Sequence, residues 1–307
     1  MQRIVLRTGV SLPYLEQGDP SGVPVVMLHA WADSLRFFEP ALPLLPARLR
    51  VLVPSQRGHG EADKPASGYA LRDFSEDVVA FLDALGIDAA IVAGHSSGGY
   101  VAQRFAVDHP DRVLGLVLIG SPGSLHGRRP AFTRAVEAME DPIDPATVRA
   151  VMGTMPLLHP VPDAFVEEMV AESAKVPAHV WKSVLAGLVT ADPPTRTGTI
   201  KAPTLILWGD GDDLLLRADQ EALAAAIPDS TLTTYEGTGH IILWEQPQRV
   251  ASDLTTFVDR LAADRPGSPQ GWPAGVSAPA EHPGAPRPMR GQCPDEPFSI
   301  PPTTEVT

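Results

Sequence analysis

Five short apolar runs recur along the chain: Val25-Val26-Met27-Leu28, Val51-Leu52-Val53, Ala90-Ile91-Val92-Ala93, Val113 to Ile119 and Thr204 to Trp208. Each is rich in Val, Ile or Leu, and none alternates strictly with polar residues. Such runs suit strands buried on both faces, as in a parallel sheet. Between Val53 and Ala90, residues Phe74, Val78, Phe81, Leu82 and Leu85 share one helical face, with Asp73 and Glu76 placed as a capping box would be. Strands alternating with helices in this way give an α/β fold. Ile4 to Leu6 and Leu12 to Glu16, flanking the turn signal Thr8-Gly9, can pair as an antiparallel hairpin at one sheet edge.

The alternation stops after Ile119 and resumes at Thr204. Helical patterns lie between, around Phe132 to Met139, Ala164 to Ala174 and Val180 to Leu188, broken by Pro142, Pro145, Pro156, Pro160, Pro162 and Pro177. Residues 124–199 therefore read as a helical insertion over the sheet, closed by a Pro193-Pro194 hinge, with a core divided into residues 1–123 and 200–264. Residues 265–307 carry 11 of the 33 prolines and no sustained apolar period. They read as a disordered tail, in which Trp272 and Phe298 could serve a docking segment.

Hydrophobic residues make up 44% of the 307 and charged residues 20%, enough to bury a sizeable core. The net charge is −13, and no basic run exceeds the pair Arg128 and Arg129, so nucleic acid is not an expected partner. A single cysteine, Cys293, cannot form an internal disulfide, and Met1-Gln2-Arg3 leads into no apolar signal region. No stretch is long enough to span a membrane, and the expected location is cytoplasmic.

Gly94-His95-Ser96-Ser97-Gly98 follows the run Ala90 to Ala93 and opens the helical pattern Tyr100 to His109. A serine raised above a sheet on a sharp strand-to-helix turn has a strained backbone, and the residues two before and two after it must be small. Gly94 and Gly98 meet that demand. A serine hydroxyl is a poor nucleophile at neutral pH and needs a base, which in turn needs an acid to orient it. Thr204 to Trp208 runs into Gly209-Asp210-Gly211-Asp212-Asp213, and Thr231 to Tyr235 runs into Glu236-Gly237-Thr238-Gly239-His240. The order Ser96, Asp212, His240 is the chain order such a sheet uses.

Further local patterns agree: Leu28-His29 after the third strand, Arg57-Gly58-His59-Gly60 after the fourth, and His109-Pro110-Asp111-Arg112-Val113 before the sixth. On these motifs residues 1–262 resemble the α/β-hydrolase fold family, in its branch with a helical cap. The resemblance implies a mostly parallel eight-stranded sheet flanked by helices. It implies Ser96 as nucleophile, His240 as base and, as fourth residue of a Gly-x-x-Asp turn from Gly209, Asp212 as the acid. It assigns the backbone N–H groups of Trp31 and Ser97 to the oxyanion hole. The chain departs from the family at Ala30, where glycine is usual, at Ser55, where aspartate is usual, and at Ala62, where serine is common. The first departure bears on the shape of the oxyanion loop.

Trp31, Phe37 and Phe38 are expected to wall the substrate pocket from below, and Met152, Met155, Leu157 and Trp181 from above, which suits an apolar acyl or alcohol group. None of the nine histidines shows metal-ligand spacing, so neither a metal nor a cofactor is expected. The expected activity is hydrolysis of a small carboxylic ester or lactone through an acyl-enzyme, by a monomer or homodimer. Carbon–carbon bond hydrolases, perhydrolase-type haloperoxidases and iminopeptidases use the same three residues. A receptor-like binding protein on this fold would give no acyl-enzyme burst with an activated ester.

Overall fold

The computed structural model describes residues 1–264. The expected tail, with Trp272, Cys293 and Phe298, lies outside the described residues. Eight strands form one sheet: β1 (Gln2–Val5), β2 (Ser11–Gly18), β3 (Val23–Leu28), β4 (Leu49–Pro54), β5 (Ala90–His95), β6 (Val113–Ile119), β7 (Thr204–Gly209) and β8 (Ser230–Tyr235). Their spatial order is β1-β2-β4-β3-β5-β6-β7-β8. β2 runs antiparallel to both β1 and β4, and every other pairing is parallel. The hairpin expected from the first residues therefore forms the antiparallel edge.

The lack of alternation in the apolar runs has a direct cause. Val25, Met27, Val51 and Val53 project into one core with Leu254, Phe257 and Trp244, while Val26, Leu28 and Leu52 project into a second with Phe81, Tyr100 and Phe105. Every residue of β5, β6 and β7 is buried. Each large side chain so enclosed contributes about 1.5–3 kcal/mol relative to exposure, and both faces contribute.

Helices α1 (Leu71–Ala84) and α2 (Ser97–Asp108) pack together over the second core. Helix α1 starts two residues before Asp73, and Asp73 caps it from inside: its carboxylate accepts from the Ala70 N–H at 2.8 Å. Asp73 thus supplies the third-residue half of a capping box whose cap position holds an alanine, a correction to the expected Asp73–Glu76 pair.

Five helices fill the interval between β6 and β7: α3 (Thr133–Glu137), α4 (Pro145–Met152), α5 (Asp163–Ala174), α6 (Ala178–Thr190) and α7 (Pro194–Thr197). Sequence periodicity misses α4, because Pro145 reads as a breaker. Pro145 is in fact its first helical residue, behind Asp144, whose carboxylate accepts from the Ala146 N–H at 2.9 Å. Proline is tolerated there because that N–H has no helical partner to lose. Pro162 and Pro177 likewise precede α5 and α6. Pro193 and Pro194, read as a hinge, open the single turn of α7, which Arg104 of α2 holds through Thr197 Oγ1 at 2.8 Å. The described residues close with α8 (Arg217–Ala226), the short α9 (Ile242–Glu245) and α10 (Pro247–Ala263), whose apolar face covers the first core. Among the described residues no helix is long and apolar enough to cross a membrane.

Candidate active site

Ser96 lies between the last residue of β5 and the first of α2, with φ 49° and ψ −119°. A side chain in that region is strained, so the surroundings must hold it. Here the Ser96 N–H donates to the Ile119 carbonyl at 2.9 Å, and the Ser96 carbonyl accepts from the Tyr100 N–H at 3.1 Å. A Cβ on Gly94 would collide with the Gly98 backbone, and one on Gly98 with the Leu28 and His29 carbonyls. The two glycines are needed because strand, helix and the neighbouring β3 terminus converge on one point.

Three residues meet at the carboxyl ends of β5, β7 and β8. His240 Nε2 is 3.0 Å from Ser96 Oγ, and His240 Nδ1 is 2.7 Å from Asp212 Oδ2. The Asp212 carboxylate can only accept, so Nδ1 carries the proton and Nε2 presents its lone pair to the serine hydroxyl. The second Asp212 oxygen accepts from the Leu214 and Leu215 N–H groups at 2.8 and 3.0 Å, which fixes the carboxylate. The His240 ring and the Asp212 carboxyl are 3% and 1% exposed, so water hardly competes for their bond. Asp210 turns away and accepts from the Gly237 N–H at 2.6 Å, and Asp213 is exposed.

His95 supports this group from beneath. Its Nε2 donates to the His240 carbonyl at 3.2 Å, and its ring stacks on Phe37 with centroids 4.6 Å apart. Burial pushes His95 down to about 3, so it stays neutral. Phe37 and Phe38 are 1% and 0% exposed and belong to the core shared with Trp244, whose indole N–H donates to the Phe37 carbonyl at 3.0 Å. They are not pocket walls: they leave no surface for a substrate, and Phe37 instead backs the His95 ring.

Trp31 and Ser97 stand together, with the Trp31 N–H donating to Ser97 Oγ at 2.7 Å. The Trp31 ring lies between Phe132 and Trp181, at centroid distances of 5.4 and 5.0 Å. The loop before it is pinned by His29, which donates from Nδ1 to the Ala30 carbonyl at 2.7 Å and accepts at Nε2 from the Gln56 N–H at 2.9 Å. Burial pushes His29 down to about 3. Alanine at position 30 is accommodated because the left-handed turn falls at Ala32, with φ 67°, and not at Ala30.

Of the residues expected above the site, Trp181 is buried against Trp31, while Met152, Met155 and Leu157 are half-buried. Sequence reasoning missed Glu245. Its carboxylate accepts from the Gly239 N–H at 3.0 Å through one oxygen, and from the Leu158 and His159 N–H groups at 2.9 and 3.0 Å through the other. It thereby ties the loop carrying His240 to the segment between α4 and α5. A carboxylate five residues beyond the histidine offers no periodic signal in the sequence. Among the described residues, no group of three or more His, Cys, Asp or Glu side chains is placed to hold a metal ion.

The chain is similar to known hydrolases over most of its length. The AB hydrolase superfamily protein YisY of Bacillus subtilis is 26% identical over 77% of this chain and 91% of its own. Est816, an N-acyl homoserine lactone degrading enzyme, is 29% identical with a TM-score of 0.69, over 83% of this chain and all (100%) of its own. An esterase from Exiguobacterium antarcticum shares the fold at a TM-score of 0.76 with 22% identity, over 84% of this chain and 99% of its own. The family model described as the alpha/beta hydrolase family matches residues 25–254, and the chain belongs to that family.

Proposed function

We propose that the chain is a serine hydrolase of small carboxylic esters or lactones, working through an acyl-enzyme on Ser96. The observation that carries this reading is the pair of contacts on His240, 3.0 Å to Ser96 Oγ and 2.7 Å to Asp212 Oδ2, beneath a strained serine. Ser96 Oγ attacks the carbonyl carbon as its proton passes to His240 Nε2, and Asp212 steadies the imidazolium. The Trp31 and Ser97 N–H groups receive the oxyanion. The alkoxide leaves with the proton from Nε2, or stays tethered when the substrate is a lactone. Water then attacks the acyl group, giving its proton to His240, and Ser96 is regenerated as the acid departs.

The five helices between β6 and β7 act in this reading as a cap, with the half-buried Met152, Met155 and Leu157 facing the substrate and Trp181 packed behind the Trp31 ring. A roofed, largely apolar site favours short acyl groups over polymers or triglycerides. A phosphonate ester should label Ser96 alone, and Ser96→Ala should lower kcat by roughly 10⁴–10⁶-fold while leaving the melting temperature unchanged. Labelling at Ser97 or undiminished turnover would overturn the assignment. Esters, lactones, amides and a vinylogous diketone assayed side by side then identify the bond cleaved.

A further inference from the structure

Beside the Trp31 and Ser97 positions lies a small cavity, about 10 Å³, lined by Trp31, Gln56, His59, Tyr69 and Ser97 together with apolar side chains of α1, α2 and α6. That is room for roughly one water-sized group. Three of the lining residues carry polar atoms without partners. Trp31 Nε1, Gln56 Oε1 and His59 Nε2 are all buried and, among the described residues, have no hydrogen-bond partner. Their chemical roles are fixed by what their other atoms do. His59 Nδ1 donates to the Arg57 carbonyl at 2.7 Å, so Nε2 carries a lone pair. Burial keeps that ring neutral, pushed down to about 4. Gln56 Nε2 donates to the His29 carbonyl at 2.7 Å, which leaves Oε1 as the free acceptor. Trp31 Nε1 can only donate. The lining residues therefore offer two unpaired acceptors and one unpaired donor, beside the Ser97 and Tyr69 side chains.

We infer that this cavity is a subsite for a compact hydroxyl or N–H group on the acyl part of the substrate. The inference rests on the reading of Ser96 as nucleophile, because the acyl carbonyl is then held at the Trp31 and Ser97 backbones, whose side chains line the cavity. A short acyl group would carry its far end towards these lining residues. A hydroxyl there donates to His59 or Gln56 and accepts from the Trp31 indole. A methyl in the same place leaves all three buried groups unpaired, and a site built to hydrogen-bond a substrate group discriminates strongly against the analogue that lacks it.

The test compares p-nitrophenyl 3-hydroxypropanoate with p-nitrophenyl butanoate, which match in length, in the full-length protein. The native enzyme should favour the hydroxy ester at least tenfold in kcat/KM. Trp31→Phe keeps the backbone N–H and an aromatic ring but removes Nε1–H, and His59→Phe removes the Nε2 acceptor. Each should lower the ratio of the two kcat/KM values at least threefold, a readout that general damage to the enzyme does not move. Binding of 3-hydroxypropanamide against butanamide to Ser96→Ala, followed by tryptophan fluorescence, gives the same comparison without turnover. Equal handling of both esters and both amides would mean that the cavity holds a structural water only and would overturn the inference. If a phosphonate ester labels Ser96 in the native protein used for the ester assays, the parent reading survives; if it does not, both fall.

Discussion

The Trp31 backbone N–H points at Ser97 Oγ, 2.7 Å away, so one of the two amides assigned to the oxyanion is already aligned by the hydroxyl of the residue that carries the other. Removing that hydroxyl leaves the Trp31 amide without its acceptor and free to tilt. Ser97→Ala should lower kcat about tenfold with KM within about twofold, the pattern of an interaction that matters mainly in the transition state. Ser97→Thr, which restores the hydroxyl, should recover most of the loss. Equal kcat in all three proteins would detach Ser97 from oxyanion stabilisation.

Asp212 and Asp210 lie two positions apart but serve different partners, His240 for the first and the Gly237 N–H for the second. Asp212→Asn presents an amide to Nδ1 and favours the wrong imidazole tautomer, so kcat should fall by about 10⁴. Asp210→Asn keeps an acceptor for Gly237 and should cost less than about threefold. Steady-state kinetics on one activated ester decides the matter, and a larger loss at Asp210 would displace Asp212 from its role.

Glu245 receives three backbone N–H groups through its two oxygens. Glu245→Gln is close in shape but replaces one oxygen with a donor, so either Gly239 or the Leu158–His159 pair is left facing an N–H. The cost should be about 2 kcal/mol, or roughly 4–8 °C in melting temperature. The loop bearing His240 should loosen at the same time, which hydrogen exchange at Gly239 and His240 would report as lost protection.

Acid should destabilise the protein through His29, His59 and His95, held by burial to about 3, about 4 and about 3. Unfolding returns each to about 6.5, so the unfolded chain binds more protons between the two limits. Their contribution is complete above about pH 6.5 and is lost as pH falls towards about 4 for His59 and about 3 for His29 and His95, by about 1.4 kcal/mol per proton per pH unit. The slope of unfolding free energy near pH 5 should show one proton fewer in His59→Phe than in the native chain. An unchanged slope would mean that His59 titrates normally in the fold.

The strands were legible because both sheet faces are covered, so unbroken runs such as Ala90 to Ala93 stand out from their surroundings. The serine turn was legible because backbone crowding admits only glycine at positions 94 and 98, a requirement written locally in the chain. Phe37 could not be placed in this way. Its partners His95 and Trp244 lie far along the sequence, and nothing near Phe37 distinguishes a core ring from a pocket ring. The same holds for Asp73, whose capping partner is set by where α1 begins, and for α4, whose first residue is a proline that elsewhere would have ended a helix.

Ser96 and His240 are 144 residues apart, and His240 follows β8, the last strand to be made among the described residues. A chain emerging from the ribosome can complete β5, β6 and the serine turn while the base is still unsynthesised. Throughout that interval it carries a strained serine that nothing nearby deprotonates. On the proposed reading, hydrolytic power then appears in one step, when β8 docks beside β7 and its following loop brings the imidazole to the hydroxyl. During refolding in vitro, recovery of esterase activity should therefore lag recovery of far-ultraviolet circular dichroism, and it times the arrival of the sheet's final edge.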